Sequence, residues 1–218
     1  MAQNTTNEPR EKCSIVILGE HLTGKSSIIK RYIVESFDDH EQPTIGIDFF
    51  LKKVEIDNTN TFVKFCFWDT SGQEKFRALI PNYIRSAQAA IICYDITNEQ
   101  SFQTLSRWVQ NVQEEIGNDV FIYILGNKID LEQERRISKE QAQAKAKELG
   151  AQFYEVSAKK AKNVLEFFKK LQNDLLGNFI LQTHNQQQQQ QFECLQQDQI
   201  QQSNQLKNLE QDDKQQGE

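Results

Sequence analysis

The sequence predicts an α/β fold: a mostly parallel, six-stranded sheet with helices on both faces. Short apolar, β-branched runs alternate with segments of helical period between about residues 12 and 176, the pattern of strands buried on both faces. The stretch Gly19-Glu20-His21-Leu22-Thr23-Gly24-Lys25-Ser26, of the form G-x-x-x-x-G-K-S, lies between such a strand and a helix. Three more polar loops follow strands, and parallel sheets bind ligands at the carboxyl ends of their strands.

Residues 1–11 are polar and are expected to be disordered. Cys13 to Leu18 reads as a buried strand, and the helix after the glycine loop, to about Ser36, turns Ile28, Ile29, Tyr32 and Ile33 inward. Phe37 to Thr44 lacks apolar period and reads as an exposed loop. Ile47–Asp57 and Thr61–Trp68 read as a hairpin around Asp57-Asn58-Thr59-Asn60, and Asp69 to Glu74 as a loop. A short helix is expected around Arg77 to Arg85, interrupted by Pro81.

Ala89 to Asp95 is the next buried strand. Thr97 and Gln100 have capping-box spacing, and Phe102, Leu105, Val109, Val112 and Ile116 mark one amphipathic helix. Val120 to Leu125 is a strand that ends in Asn127-Lys128-Ile129-Asp130. Ser138 with Gln141 caps a helix to about Leu149, and Phe153 to Val156 is the last strand. Asn163 with Glu166 is expected to cap a final helix with Val164, Phe167, Phe168, Leu171 and Leu175 inward.

Hydrophobic content of 38% is low for a globular chain, but the deficit is local. From Gly177 to Glu218, sixteen of forty-two residues are Gln, so residues 177–218 are expected to form a disordered tail. Of the net charge of −6 the tail carries −4, leaving −2 for residues 1–176. Neither part has the basic footprint of a nucleic-acid binder or a polybasic membrane patch. Cys13, Cys66, Cys93 and Cys194 show no metal-ligand spacing, and a reducing cytosol suits them. No apolar run reaches the ~18 residues of a membrane span.

The glycine loop has a clear physical use. Its glycines let successive backbone N–H groups face phosphate oxygens, and the helix N-terminus adds partial positive charge. Gly19, Leu22, Thr23, Gly24, Lys25, Ser26 and Ser27 are therefore the candidate phosphate contacts. Lys25 reaches the outer phosphates, and the Ser26 hydroxyl ligates Mg²⁺. In Asp69-x-x-Gly72-Gln73, Asp69 can hold a Mg²⁺ water, Gly72 can offer its N–H to a γ-phosphate, and Gln73 can orient an attacking water. Taken alone, this stretch also fits an ordinary turn.

Asp130 can accept from the ring N–H and amine of guanine, a donor pair that adenine lacks, with Asn127 and Lys128 beside it. Adenine would leave a buried carboxylate unpaired, which can discriminate by roughly 10⁴ or more. Ser157, Ala158 and Lys159 offer backbone donors to the base oxygen. Either loop alone could equally be unremarkable.

In this order, the four elements resemble the Ras superfamily of small GTPases, whose fold is that of the P-loop NTPases, over about residues 12–176. Five stretches look like the Rab family: Ile45-Gly46-Ile47-Asp48-Phe49, Lys64-Phe65-Cys66-Phe67-Trp68, Lys75-Phe76-Arg77-Ala78-Leu79-Ile80, Tyr83-Ile84-Arg85-Ser86-Ala87 and Cys93-Tyr94-Asp95-Ile96-Thr97. Leu79 to Arg85 looks closest to the Golgi-trafficking Rab subgroup.

The resemblance implies GTP and GDP as ligands with Mg²⁺, and hydrolysis of GTP that is slow without an activating protein. The superfamily's intrinsic rate is on the order of 10⁻⁴ s⁻¹, raised up to roughly 10⁵-fold by an activating arginine. It implies that Thr44 reaches Mg²⁺ and the γ-phosphate only in the GTP state, that Phe37 packs on guanine, and that loops 37–45 and 69–80 are the switches. It also implies an exchange factor, an activating protein and effectors, the last meeting Phe49, Trp68 and Tyr83; those three also fit plain packing. The expected location is cytoplasmic, with recruitment to Golgi or transport-vesicle membranes.

The chain departs from the family pattern at several positions. His21 and Leu22 put bulk in the phosphate loop, where they can crowd an activating arginine. Glu41 stands where a Tyr is common, and repulsion from phosphate predicts that it points outward. Ser71 replaces the usual Ala, so its hydroxyl can disturb Mg²⁺ or the water. The chain ends without the usual prenylated cysteines, and Cys194 lies 24 residues from the end; membrane contact is therefore expected to be indirect or transient. These departures motivate a rival reading, a GTP-bound scaffold that hydrolyses negligibly. A third, an ATP-using kinase, would require Asp130 to be without influence on base choice.

Overall fold

The computed structural model describes residues 11–56, 61–118 and 120–177. The expectations for residues 1–10, for Asp57 to Asn60 and for the Gln-rich tail with Cys194 fall outside these residues. The chain divides into two units after Leu175.

Six strands form one sheet: β1 (Glu11–Gly19), β2 (Ile47–Ile56), β3 (Thr61–Thr70), β4 (Ala89–Asp95), β5 (Phe121–Asn127) and β6 (Gln152–Glu155), in the order β2-β3-β1-β4-β5-β6. Among these six strands only β2 and β3 pair antiparallel, as the hairpin pattern predicts. The other pairs are parallel, joined by helical crossovers. β3 runs two residues past Trp68, because Asp48 and Ile47 of β2 still pair with Asp69 and Thr70. Asp69 is thus held in the sheet rather than in a loop.

The helices are α1 (Lys25–Ile33), α2 (Ile80–Ile84), α3 (Glu99–Gln103), α4 (Leu105–Ile116), α5 (Lys139–Glu148) and α6 (164–177). β1 alternates its apolar residues between two cores. Val16 and Leu18 join Ile84, Trp108, Val109, Val112 and Ala146, under α2, α4 and α5. On the opposite face, Tyr32 of α1 stacks on Phe168 of α6 at 3.9 Å, and the ring of Phe67 of β3 meets Phe168 edge-on at 5.6 Å. The helices thus cover both faces, and Cys13, Cys66 and Cys93 are buried within the sheet.

Local details differ from the sequence expectation for identifiable reasons. α1 ends at Ile33, and Glu35 follows at φ 56°. Pro81 opens α2 instead of interrupting it, after a 3-10 segment over Glu74–Leu79; a first-turn proline lacks only an N–H that needs no partner there. Asn98, not Thr97, caps α3, its side chain accepting from the Ser101 N–H at 3.2 Å. The Thr97 hydroxyl is engaged with Asp95 Oδ1 at 2.8 Å, and the single helix expected here breaks at Thr104. Ser138 and Gln141 do form a capping box on α5. Before α6, Asn163 takes φ 60° and its amide donates to the Glu155 carbonyl at 2.9 Å, so its side-chain N–H serves β6.

Candidate nucleotide site

The carboxyl ends of β1, β3 and β5 converge on two adjoining clefts. One, of about 80 Å³, is lined by the glycine loop, Glu41 to Thr44, Thr70 and Gly72. The other, of about 320 Å³, is lined by Phe37, Asn127, Lys128, Asp130, Ala158 and Lys159 among others. Leu22, Gly24, Ser27 and Glu41 border both. The first has the equipment for phosphates and the second for a base.

Gly24 is the N-cap of α1 at φ 86°, and a Cβ there would lie 2.2 Å from Asn127 Nδ2. Only glycine allows this backbone and this approach. Lys25 is buried, its Nζ donating to the carbonyls of Gly19 at 3.0 Å and Glu20 at 2.9 Å. Burial pulls its ammonium below the ordinary lysine value. Thr23 is buried with its hydroxyl on the Glu20 carbonyl at 2.9 Å. The lysine and the loop brace each other, with the cation at the phosphate end.

Ser26, Thr44 and Asp69 meet as the metal reading requires. Ser26 Oγ lies 2.6 Å from Thr44 Oγ1 and donates to Asp69 Oδ2 at 2.5 Å, and Thr44 Oγ1 lies 3.4 Å from the same carboxylate oxygen. Asp69 is fully buried and its Oδ1 has no hydrogen-bond partner. Burial pushes its carboxyl up to about 6, against the pull of the Ser26 hydroxyl and Lys25. A buried carboxylate with an unspent oxygen beside two hydroxyls is an all-oxygen set suited to a hard divalent cation, and Mg²⁺ fits it.

The loop after β3 presses on the phosphate loop. A Cβ on Gly72 would meet His21 N at 2.4 Å and the Glu20 carbonyl carbon at 2.5 Å, so only glycine fits. Ser71 is buried; its N–H donates to the Gly46 carbonyl at 2.9 Å and its Oγ accepts from the Gln73 N–H at 3.3 Å. The Ser71 hydroxyl thus shapes this turn. Gln73 is half-buried and lines neither cleft. His21 and Leu22 do line the phosphate cleft, and Leu22 is exposed at φ 62°.

At the base end, Asn127 Nδ2 donates to the Thr23 carbonyl at 2.9 Å, and its Oδ1 accepts from the Ala158 N–H at 3.2 Å. The expected base donor at Ala158 is thus engaged with Asn127 here. Ser157 donates to Asp130 Oδ1 at 2.5 Å and fixes the carboxylate. Lys128, at φ 68°, pairs with Asp95 Oδ2 at 2.6 Å. Lys159 pairs with Asp39 at 2.6 Å, which draws loop 37–44 toward the base loop.

Glu41 contradicts the sequence expectation. It points inward, its Oε2 accepting from Ser27 Oγ at 3.2 Å and its Oε1 paired with Lys30 Nζ. The positive charge of Lys30, invisible to motif reasoning, reverses the electrostatic argument.

Two further braces escaped the sequence. Glu20 Oε1 accepts from Arg107 Nη2 at 2.7 Å and Trp108 Nε1 at 3.3 Å, fastening the phosphate loop to α4. Arg31 donates through Nε to the Ala158 carbonyl at 2.8 Å and lies over the Phe37 ring at 5.9 Å. Isolated charged residues carry no periodic signal, so only the fold could have found these pairs.

The family model for the Ras family matches residues 14–177. The chain belongs to the Ras family. That span runs from within β1 to the end of α6 and includes the residues lining both clefts. As a Ras-family protein it has a small-GTPase domain, which binds GTP and GDP, typically with Mg²⁺, and works as a nucleotide-dependent switch.

Proposed function

We propose that this Ras-family GTPase is a Rab-like switch in vesicle-mediated membrane trafficking of the Golgi type, a cytoplasmic protein recruited to Golgi or transport-vesicle membranes. The aromatic patch between the two switch segments carries the reading. The rings of Phe49 and Trp68 lie 4.7 Å apart and those of Trp68 and Tyr83 4.8 Å apart. Phe49 is 48% exposed, with Ile45, Leu51 and Leu79 also exposed. Trp68 and Tyr83 are partly buried against the core, so Phe49 is the exposed end of a continuous aromatic cluster, and exposed aromatic anchors mark partner surfaces. The patch joins the Rab-like stretches on which the sequence resemblance rests. Among the described residues, no helix is long and apolar enough to cross a membrane.

The proposed chemistry is hydrolysis of GTP to GDP and phosphate. Lys25, held by two carbonyls, presents its charge to the outer phosphates. Ser26 and Thr44 would hold Mg²⁺ with Asp69 behind them, where its contribution is to neutralise phosphate charge. Gln73 would orient water after turning inward from its present position. Losing the γ-phosphate would release Thr44 and Gly72 and relax both switches. Asp130, fixed by Ser157, selects guanine. An exchange factor, an activating protein and effectors complete the cycle.

The test is nucleotide-dependent: the GTP-analogue form of the chain should associate with Golgi membranes more than the GDP form, and Phe49→Ala with Trp68→Ala should abolish the difference. Equal association of both forms overturns the trafficking reading.

A second reading, a scaffold that stays GTP-bound, is favoured by Gln73 lying off the cleft while His21 and Leu22 line it. Gln73→Leu separates the two. It slows single-turnover hydrolysis in a working enzyme and leaves a scaffold's rate unchanged.

A further inference from the structure

Glu41 ties loop 37–44 to α1, through Ser27 in its first turn and Lys30 in its last. Ser27 and Lys30 stand one turn apart on that helix, and the Glu41 carboxylate contacts both, one oxygen each. Its side chain is only 17% exposed and lies where the two clefts meet. α1 begins at Lys25, so its start is joined directly to the phosphate loop. Glu41 precedes Thr44 by three residues, so its loop carries a candidate metal ligand.

The helix makes this position electrostatically open. α1 has no acidic residue in its first turn and its N-cap Gly24 supplies no side chain, so the carboxylate of Glu41 arrives from the loop as an anion for that end. Bound phosphates would lie against the same helix end. An unpaired carboxylate there would repel them, whereas Lys30 cancels its charge.

We propose that the Lys30–Glu41 pair is a latch that holds loop 37–44 closed over the nucleotide and so sets how long guanine nucleotide stays bound. The inference rests on guanine nucleotide occupying these clefts. The latch acts from the α1 side, while Lys159 and Asp39 draw the same loop toward the base side. That second pair is more exposed, at 46% and 57% against 37% and 17% for Lys30 and Glu41, and is screened more by solvent. Lys30 is a positioning residue in this scheme: it contacts Glu41, and through Glu41 places the loop.

The experiment measures release of fluorescent GDP from the full chain, in Mg²⁺, chased by excess unlabelled GDP. Lys30→Met both unlatches the loop and leaves Glu41 unneutralised, so release should quicken roughly three- to tenfold. Glu41→Gln should quicken it less, because repulsion disappears with the latch. In the Glu41→Gln background, Lys30→Met should add nothing. Lys30→Arg should stay near the wild-type rate, and the gap between wild type and Lys30→Met should narrow in high salt.

Equal effects of Lys30→Met in both backgrounds, or an unchanged release rate, overturn the latch. A wild-type chain that retains no GDP overturns the nucleotide reading and the latch with it, and is seen before any variant is made.

Discussion

Asn127, at the end of β5, donates its side-chain amide to the backbone carbonyl of Thr23 in the phosphate loop at 2.9 Å, across 104 residues of chain. The same side chain accepts from the Ala158 N–H at 3.2 Å. One buried amide therefore fastens the glycine loop, the end of β5 and the loop after β6 into a single frame.

Asn127→Ala removes both bonds and strands two buried backbone groups. The expected cost is about 1–3 kcal/mol of stability, read as a lower denaturant midpoint of the nucleotide-free protein. GDP affinity should fall as well, because Asn127 lines the base cleft and braces the phosphate loop through Thr23.

Ser26→Ala should uncouple nucleotide retention from metal. In the wild type, chelating Mg²⁺ should speed GDP release. Without the hydroxyl that bonds Asp69 and Thr44, release should already be fast and respond little to the chelator. A strong chelator response in the variant would show that the metal is held elsewhere.

Gly72→Ala should freeze the second switch out of place. The added methyl meets the phosphate loop at His21 and Glu20, backbone that cannot yield cheaply, so the loop must back away. GDP should bind nearly as before. A GTP analogue should no longer protect segment 69–80 from proteolysis as it does in the wild type.

Asp130→Asn should exchange base preference. The amide cannot accept from both guanine donors, and it presents a donor to the second oxygen of xanthine. Guanine affinity should drop by about 10³-fold or more and xanthosine diphosphate should bind better than to the wild type, measured by competition.

Asp174 anchors α6. Its Oδ2 accepts from Tyr123 at 2.8 Å and Gln152 at 3.2 Å, and its other oxygen pairs with Lys170. Burial pulls its pKa up, but these partners pull it further down, so it lies below the ordinary aspartate value. A depressed carboxylate stabilises the fold above its unfolded pKa and loses that contribution as pH falls through the folded one. Asp174→Asn should therefore cost about 1.5 kcal/mol near neutrality, and the gap from wild type should close as pH falls below about 4, followed by urea unfolding.

Elements whose signal is local were legible in the sequence. The apolar runs of β1, β4 and β5 and the alternation of strands with helices predict the sheet, and Ser138 with Gln141 predicts a cap that the structure contains. The Thr97 cap failed because a threonine's hydroxyl has two nearby uses, and the Asp95 carboxylate takes it. Gln73 was placed by its motif, yet motif position does not set the direction of a side chain, and it lines neither cleft.

By itself the sequence determined the αβ alternation, the glycine loop and the order of the polar loops, because backbone preference and hydrophobic period act over a few residues and are written in neighbours. Only the tertiary structure decided which way Glu41 points, that Glu20 finds Arg107, and that Asn127 finds Thr23. Those outcomes depend on single polar groups far apart in the chain, whose energies exist only once the sheet has brought its strand ends together.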